Sequence, residues 1–235
     1  MYDPVVRVVL VHGSGGNAES AWAPLEALSD RFELVAPNRS GYPPGPLLER
    51  IDFEEQADEL VPLLQDGAHL VGHSYGGLVA LFMAARRPEF VLSLAVSEPP
   101  AFALGRGNRE VEQLVERLEH SRRELQEPRE FAAAFLGLVG SSAELPDPLP
   151  PDAEQSIRAT MAERSPLEAE LPLDELAATS FRKLVVSGAH HPAFDAVCDL
   201  LERRLGAERA VLPGASHSIP RAPGYAALLE EFLSR

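Results

Sequence analysis

The stretch of this chain that most constrains its fold is an almost unbroken apolar run near the N-terminus, Val5 to Val11. Valine and leucine favour extended backbone, and a strand that is apolar on both faces must be covered on both faces. A parallel sheet placed between two layers of helices meets that requirement. The run therefore predicts an α/β fold built on a buried, mostly parallel sheet.

Strand-like and helix-like segments alternate along the chain, as repeated strand–helix–strand units require. Strands are predicted at Val5–Val11, Phe32–Ala36, His69–Val71, Val91–Ser97, Arg182–Ser187 and Glu208–Leu212. Helices are predicted at Trp22–Ser29, Asp52–Leu64, Leu78–Arg87 and Ala222–Leu233. We therefore expect a sheet of about six strands flanked by helices.

The interval 101–180 breaks this alternation because it contains no convincing strand. Apolar residues recur in it at helical spacing. The predicted helices are Asn108–Gln126, Pro128–Val139, Asp152–Glu163 and Pro172–Ala178. A helical insertion is therefore expected between the fourth and fifth strands.

A run of six residues, Gly72 to Gly77, reads Gly-His-Ser-Tyr-Gly-Gly and separates an apolar segment from a helix-like one. A sharp strand-to-helix turn of this kind holds its serine in a strained backbone conformation and projects the hydroxyl above the sheet. Glycines at 72 and 76 would remove Cβ atoms where strand and helix pass closely. Ser74 is therefore a candidate nucleophile; the alternative is a loop in which glycines merely relieve strain.

Two further loops follow predicted strands. The first strand leads into His12-Gly13-Ser14-Gly15-Gly16, and the last leads into Gly214-Ala215-Ser216-His217. Because ligands bind at the carboxyl ends of parallel strands, we expect both loops to lie near Ser74. A serine hydroxyl is a poor nucleophile without a neighbouring base, and His217 is the candidate base.

The order of these motifs resembles that of the α/β-hydrolase superfamily: an early His-Gly-x-Gly-Gly loop, a middle Gly-His-Ser-x-Gly-Gly turn and a late Gly-x-x-His. The likeness runs almost end to end, and the loop 37–42 is also similar to the one after that superfamily's next strand. The resemblance implies an oxyanion hole formed by the backbone N–H groups of Ser14 and Tyr75. It also places His12 and Gly13 beside the substrate.

The same resemblance implies that the helical insertion is a cap over the pocket. The core would then comprise residues 1–100 and 181–235, and the cap residues 101–180. An apolar roof would exclude water and select apolar acyl or alcohol groups. Helices that simply complete the fold are the alternative.

The acid that should accompany the histidine is where this chain departs from the common pattern. Most superfamily members carry an aspartate shortly after the penultimate strand, but the segment 188–194 has no carboxylate. Glu98, which ends the strand after the Ser74 helix, is the first choice because some members place the acid there. Asp195 is the second, although an acidic residue in a first helical turn is expected from the helix dipole alone. The absence of any such acid is the third possibility.

The other histidines carry weaker signals. His12 and His73 flank the glycine turns and are interpreted as residues that orient loops by hydrogen bonding. No role follows from the sequence for His190 and His191, which occupy the usual acid position. No set of residues has the spacing of a metal site, and the glycine-rich loop lacks the lysine of a phosphate-binding loop. Neither a metal nor another cofactor is implied.

Charge and cysteine usage restrict the partners. A formal charge of −15 argues against nucleic acid and anionic membranes, which would repel the protein. The single cysteine, Cys198, permits no internal disulfide. Because Met1 lies close to the first predicted strand, we expect no signal peptide. We expect a cytoplasmic monomer or small homo-oligomer that acts on a small-molecule substrate.

These features predict a serine hydrolase of a small to medium, largely apolar carboxylic ester or thioester. Cofactor-free C–C hydrolase or lyase chemistry, or perhydrolase or haloperoxidase chemistry, could use the same residues on this versatile scaffold. A non-catalytic receptor for a small molecule is the remaining alternative, favoured by the missing aspartate. The sequence does not identify the substrate.

Overall fold

The computed structural model describes residues 5–235, so the expectation about a signal peptide, which rests on the first four residues, lies outside it. Within the described part, six strands form one parallel sheet in the order β2-β1-β3-β4-β5-β6. The strands are β1 Val6–Val11, β2 Phe32–Val35, β3 Ala68–His73, β4 Val91–Ser97, β5 Arg182–Ser187 and β6 Glu208–Val211. These bounds confirm the predicted sheet to within two residues at each end.

Helices connect the strands and cover the sheet. They are α1 Ala18–Trp22, α2 Phe53–Leu60, α3 Tyr75–Arg86, α4 Arg109–Glu124, α5 Pro128–Val139, α6 Pro151–Ala162, α7 Leu173–Ala177, α8 Pro192–Leu205 and α9 Tyr225–Leu233. Four of them, α4 to α7, lie between β4 and β5, so the predicted helical insertion is present.

The second half of the N-terminal apolar run, from Val8 to Val11, is buried on both faces, as predicted, whereas Val5 and Val6 are exposed. Val9 and Val11 belong to a core layer shared with α2, α3 and α8, whereas Val8 and Leu10 belong to a second layer shared with α1 and α9. All four side chains are at most 1% exposed. Consecutive residues of a strand point to opposite faces, so an unbroken apolar run is what a doubly covered strand requires.

Two predicted helices are divided because each contains a proline. The segment predicted at 22–29 forms the end of α1 followed by a 3₁₀ helix, Ala23–Asp30, and the segment predicted at 52–64 forms α2 followed by a 3₁₀ helix, Val61–Leu64. Pro24 and Pro62 stand in the first turns of these 3₁₀ helices. A proline has no N–H to continue the α-helical ladder, so the winding changes there.

The last helix also begins later than predicted, at Tyr225 rather than Ala222. Gly224 precedes it with a φ of 87°, and a 3₁₀ turn, Ile219–Arg221, lies before that. Pro223 therefore stands ahead of the helix instead of within its first turn. Among residues 5–235, no helix is both long and apolar enough to cross a membrane.

The strand order creates a switch point at the carboxyl ends of the adjacent strands β1 and β3. The chain leaves β1 toward β2 and then crosses back to β3 on the other side of β1. The connections that follow β1 and β3 therefore run in opposite directions from two adjacent strands. Open α/β sheets bind ligands at the carboxyl ends of strands at such a switch point. The loops that begin at His12 and at Ser74 are the two that meet there.

Candidate active site

Ser74 occupies a tight turn between β3 and α3, as predicted. Its φ and ψ are 51° and −128°, and its backbone N–H donates to the carbonyl of Ser97 at the end of β4. A left-handed φ is costly for a residue with a side chain, so the surrounding packing must hold it. Gly76 is part of that packing: a Cβ at this position would lie 2.3 Å from the carbonyl oxygens of Val11 and His12.

A line of hydrogen bonds connects the predicted nucleophile, base and first-choice acid. Ser74 Oγ lies 2.9 Å from Nε2 of His217, and Nδ1 of His217 lies 2.7 Å from Oε2 of Glu98. All three residues are buried. The second-choice acid is elsewhere: Asp195 accepts a hydrogen bond from Ser187 Oγ at 2.6 Å and lies 3.7 Å from Arg209.

Glu98 is held in place by its backbone and by three donors. Its φ is 43°, its N–H donates to the carbonyl of Val186, and its Oε1 accepts from the N–H of Gly188 at 2.8 Å. Burial alone would raise the pKa of this carboxyl group, but hydrogen bonds from His190 and His217 hold it at about 2. A carboxylate cannot donate, so Nδ1 of His217 carries the proton and Nε2 accepts from Ser74.

His217 is fixed by contacts on several sides. Its N–H donates to the carbonyl of Gly140, and its own carbonyl lies 2.7 Å from Nε2 of His73. The ring of Phe194 packs on the imidazole at a centroid distance of 4.5 Å. Burial lowers the pKa of His73 to about 3, so this ring is neutral and donates its Nε2 proton to the carbonyl. The structure thus gives His73 the loop-orienting contact expected from the sequence.

His12 makes comparable contacts in the glycine-rich loop. Its Nε2 accepts from the N–H of Arg39 at 3.0 Å, and its Nδ1 lies 2.8 Å from the carbonyl of Gly13. Burial lowers its pKa to about 3, so the ring is neutral and Nδ1 is the donor. Both ring nitrogens are therefore engaged by the protein. A Cβ at Gly13 would lie 2.9 Å from Cβ of Ser74, which is how closely this loop approaches the nucleophile candidate.

The predicted oxyanion donors, Ser14 and Tyr75, belong to the loop after β1 and to the start of α3. Tyr75 is the first residue of α3, where an N–H has no acceptor within the helix. Ser14 lies in the loop after β1, and in residues 5–235 its N–H donates to no protein acceptor. Ser14, Ser74 and Tyr75 all line one cavity. Both N–H groups thus belong to residues that line the same cavity as Ser74.

A buried polar network, which the sequence did not predict, ties the glycine-rich loop to the end of α6. Ser14 Oγ donates to Oε2 of Glu163 at 2.6 Å, and the Arg39 guanidinium donates to Oε1 of Glu163 at 2.7 Å. Tyr42 donates to the same Oε1, and Thr160 accepts from the N–H of Gly15. The Glu163 and Arg39 side chains are 1% and 0% exposed, so the charges compensate each other inside the protein.

Ser74 opens on two different spaces. One is an enclosed cavity with mainly apolar walls, and its apolar liners include Phe102, Val115, Leu118, Phe135, Val139, Leu167 and Phe194. Its polar liners from the insertion are Glu119, Arg122, Glu163 and Ser165. The other space is a more open groove with a larger polar share. Its liners include the loop 12–16, residues 141–144, His217 and Arg221.

Glu98, His190 and His217 together present a carboxylate oxygen and two imidazole nitrogens within 4.8 Å of one another. Oε2 of Glu98 lies 2.9 Å from Nε2 of His190 and 2.7 Å from Nδ1 of His217. Ligand atoms that share a tetrahedral zinc ion at about 2.0–2.1 Å would be roughly 3.3 Å apart. The group is therefore arranged as hydrogen-bonded side chains. The neighbouring His191 instead caps α8 by accepting from the N–H of Ala193.

Comparison with known proteins agrees with this architecture. A model of the alpha/beta hydrolase family matches residues 8–227. A pimeloyl-[acyl-carrier protein] methyl ester esterase of Neisseria meningitidis serogroup C is 34% identical over 97 residues, which cover 41% of this chain and 38% of that protein. The dihydrolipoyllysine-residue acetyltransferase component of the acetoin cleaving system of Cupriavidus necator is 32% identical over 137 residues, covering 56% of this chain and 36% of that protein. These matches thus span less than two fifths of either curated relative.

Solved structures resemble the chain over nearly its whole length. A carboxylesterase structure from Nitrososphaera gargenis has a TM-score of 0.72 at 18% identity and covers 98% of this chain and 90% of that one. A lipase-esterase related protein from Clostridium acetobutylicum has a TM-score of 0.69 at 15% identity and covers 97% and 93%. At such low identity these likenesses establish the fold. Together with the family model, which spans almost all of the described residues, they show that the chain belongs to the alpha/beta hydrolase family.

Proposed function

We propose that this protein is a serine hydrolase that cleaves a small to medium, largely apolar carboxylic ester or thioester through an acyl-enzyme. The observation that carries the proposal is the hydrogen-bonded line from Ser74 through His217 to Glu98, with steps of 2.9 and 2.7 Å. It lies beside a mainly apolar cavity that is lined by residues at the carboxyl ends of the strands and by residues of the insertion. The esterase names of several partial relatives agree with an ester substrate.

In this mechanism Ser74 Oγ attacks the carbonyl carbon while Nε2 of His217 takes its proton. The tetrahedral intermediate collapses, the bond to the leaving alcohol or thiol breaks, and Nε2 returns the proton to that group. Water then repeats the two steps, releasing the acid and restoring Ser74. Glu98 remains ionised throughout and stabilises the imidazolium that forms on His217.

The developing negative charge on the carbonyl oxygen is assigned to the N–H groups of Ser14 and Tyr75. The hydroxyl of Ser14 is committed to Glu163 at 2.6 Å, so the backbone is the part of this residue left to the substrate. Donors that are already oriented stabilise the transition state without reorganisation. Losing one such donor should raise the barrier by roughly 3 kcal/mol.

The two spaces beside Ser74 suggest how the substrate divides. We assign the acyl group to the enclosed cavity, where Phe102, Leu118 and Phe135 offer apolar contact, and the leaving group to the more open polar groove. The insertion supplies most of the cavity wall and would therefore act as the cap. The core would comprise residues 1–100 and 181–235, and the cap residues 101–180. The cytoplasmic location and the monomeric or small homo-oligomeric state remain predictions from the sequence.

A panel of nitrophenyl esters and thioesters of increasing acyl length, assayed with the wild type and with Ser74→Ala, tests the proposal. The wild type should turn over short to medium acyl groups best, and Ser74→Ala should lose activity on the order of 10⁴-fold or more. Turnover that survives in Ser74→Ala would refute a serine nucleophile. Thermal unfolding of both proteins checks that the variant is folded.

The same panel separates the alternatives. Poor turnover of every ester, together with cleavage of a C–C bond or peroxide-dependent chemistry that requires Ser74, would assign the site to proton-transfer chemistry. Ligand binding that is unaffected by Ser74→Ala, with no turnover of any substrate, would identify a receptor. The present proposal fails under either result.

A further inference from the structure

We propose that His190 is a positioning residue whose Nε2–H donates to Oε2 of Glu98 and so keeps that oxygen against Nδ1 of His217. The inference rests on the proposed function, since it concerns the same hydrogen-bonded line. It assigns a role to a histidine in the segment 188–194, where most superfamily members carry the aspartate that is missing here. His190 follows β5, and its Nε2 lies 2.9 Å from Glu98 Oε2.

The environment of Glu98 shows why a second imidazole is useful there. In the described part of the chain, its ion-pair partners are the two histidines, and no arginine or lysine pairs with it. The remaining donor is the N–H of Gly188, which bonds Oε1. A fully buried carboxylate needs hydrogen bonds to stay ionised. His190 therefore supplies one of the three donors on which this charge depends.

The position of the His190 ring is set by its neighbours. A Cβ at Gly140 would lie 2.7 Å from Nδ1 of His190, so the ring packs directly against the end of α5. The ring of Phe194 lies on another side at a centroid distance of 6.0 Å, and the His190 side chain is 12% exposed. The carbonyl of Gly140 also accepts from the N–H of His217. One backbone position thus contacts both histidines that share the carboxylate.

This arrangement has a consequence for the reaction. When His217 takes the proton of Ser74, the resulting cation depends on an oxygen of Glu98 at Nδ1. Without His190, the N–H of Gly188 and His217 itself would be the remaining donors, and the carboxylate could rotate more freely about its last bond. A displacement of about 1 Å in such a group can lower a rate about a hundredfold. The effect should fall on kcat, because His190 lines neither the enclosed cavity nor the open groove beside Ser74.

Three variants test the inference. His190→Gln keeps an N–H donor of similar reach, His190→Leu removes the donor at similar size, and His191→Asn changes the adjacent histidine while keeping a side chain that caps helices well. We would measure kcat and KM on the best ester and the rate of Ser74 labelling by a fluorophosphonate. His190→Leu should lower kcat and the labelling rate about 10- to 100-fold with KM within threefold. His190→Gln should recover most of both rates, and His191→Asn should resemble the wild type.

The outcomes separate this inference from the proposed function. A wild type that neither hydrolyses esters nor labels would defeat both. A wild type that labels normally, with His190→Leu labelling at the same rate, would overturn the role of His190 alone. Equal losses in the leucine and glutamine variants would also overturn it, because hydrogen-bond donation would then not be what matters. If the leucine variant does not fold, His190→Ala, which also lacks the donor, takes its place: rates about 10- to 100-fold below those of His190→Gln support the inference, and rates equal to them contradict it.

Discussion

At the residue scale, Glu98 is the side chain on which the proposed chemistry depends most after Ser74 and His217. Its pKa of about 2, kept low against burial by His190 and His217, leaves it ionised at neutral pH. Glu98→Gln preserves its shape but removes the charge and allows an amide to fix the wrong tautomer of His217. We predict that kcat/KM for an ester falls on the order of 10³- to 10⁴-fold.

Asp195→Asn is the matched control for this substitution. Asp195 contacts Ser187 and Arg209 at the start of α8 and does not reach His217. Its kcat/KM should stay within about threefold of the wild type, since no group of the proposed mechanism is touched. Loss of turnover in Asp195→Asn with retention in Glu98→Gln would reassign the acid.

Short motifs at strand ends carry enough information to place Ser74 and His217, because parallel strands bring their carboxyl ends to one edge. Glu98 could be ranked first for the same reason: it directly follows a strand next to that of Ser74. Glu163 could not be found, because it lies 149 positions from Ser14 and no local pattern links them. The role of His190 could not be predicted either, because it depends on a contact with Glu98, which lies 92 positions away in the chain.

At the element scale, the start of α3 packs closely against the end of β1. Gly76→Ala would place a Cβ 2.3 Å from two backbone oxygens, which cannot rotate away. We predict a loss of about 1–3 kcal/mol or more in the free energy of unfolding, measured by urea denaturation. Gly137→Ala is the control: it is also inside a helix, but a Cβ there meets nothing within 4 Å. That variant should gain about 0.5–1 kcal/mol.

A second prediction at this scale concerns the contact between α6 and the glycine-rich loop. Glu163→Gln would leave the fully buried guanidinium of Arg39 without its counter-charge. We expect the free energy of unfolding in urea to fall by about 3–5 kcal/mol. Glu168→Gln breaks an ion pair with Arg164 that is partly exposed, and it should change stability by less than about 1 kcal/mol. Similar losses in both variants would contradict the assigned role of the buried network.

The order of elements could be predicted because strands and helices have different apolar periods, whereas several helix boundaries could not. Pro24 and Pro62 were visible signals for a change of winding, but a proline is tolerated in the first turn of a helix and does not by itself say which kind of helix follows. The path of the insertion over the core depends on contacts such as the bridge between Ile51 and Glu163. Contacts between residues so far apart in the chain produce no periodic pattern of apolar residues from which they could be predicted.

At the scale of the whole molecule, buried neutral histidines couple stability to pH. Burial lowers the pKa of both His12 and His73 to about 3, compared with about 6.5 in an unfolded chain. Between these values the unfolded state binds a proton that the folded state does not, so stability is complete above about pH 6.5 and falls as the pH decreases. Each histidine contributes a slope of up to about 1.4 kcal/mol per pH unit.

His73→Gln tests this coupling, because glutamine can keep the hydrogen bond to the His217 carbonyl but does not titrate. Urea unfolding at several values between pH 6 and pH 4.5 should show a slope smaller than that of the wild type by about 1.4 kcal/mol per pH unit. An unchanged slope would mean that His73 takes up its proton equally in both states. The depressed pKa of Glu98 adds to the slope near pH 4.5 in both proteins, so the difference between the two slopes reports on His73.

Whether His217 activates Ser74 is tested by the site and rate of fluorophosphonate labelling in the folded protein, read by mass spectrometry of the intact chain and of its peptides. We predict one adduct per molecule, located on Ser74, and labelling at least about a hundredfold slower in His217→Gln. Absence of an adduct, an adduct on another residue, or an undiminished rate in His217→Gln would contradict the claim that His217 activates Ser74.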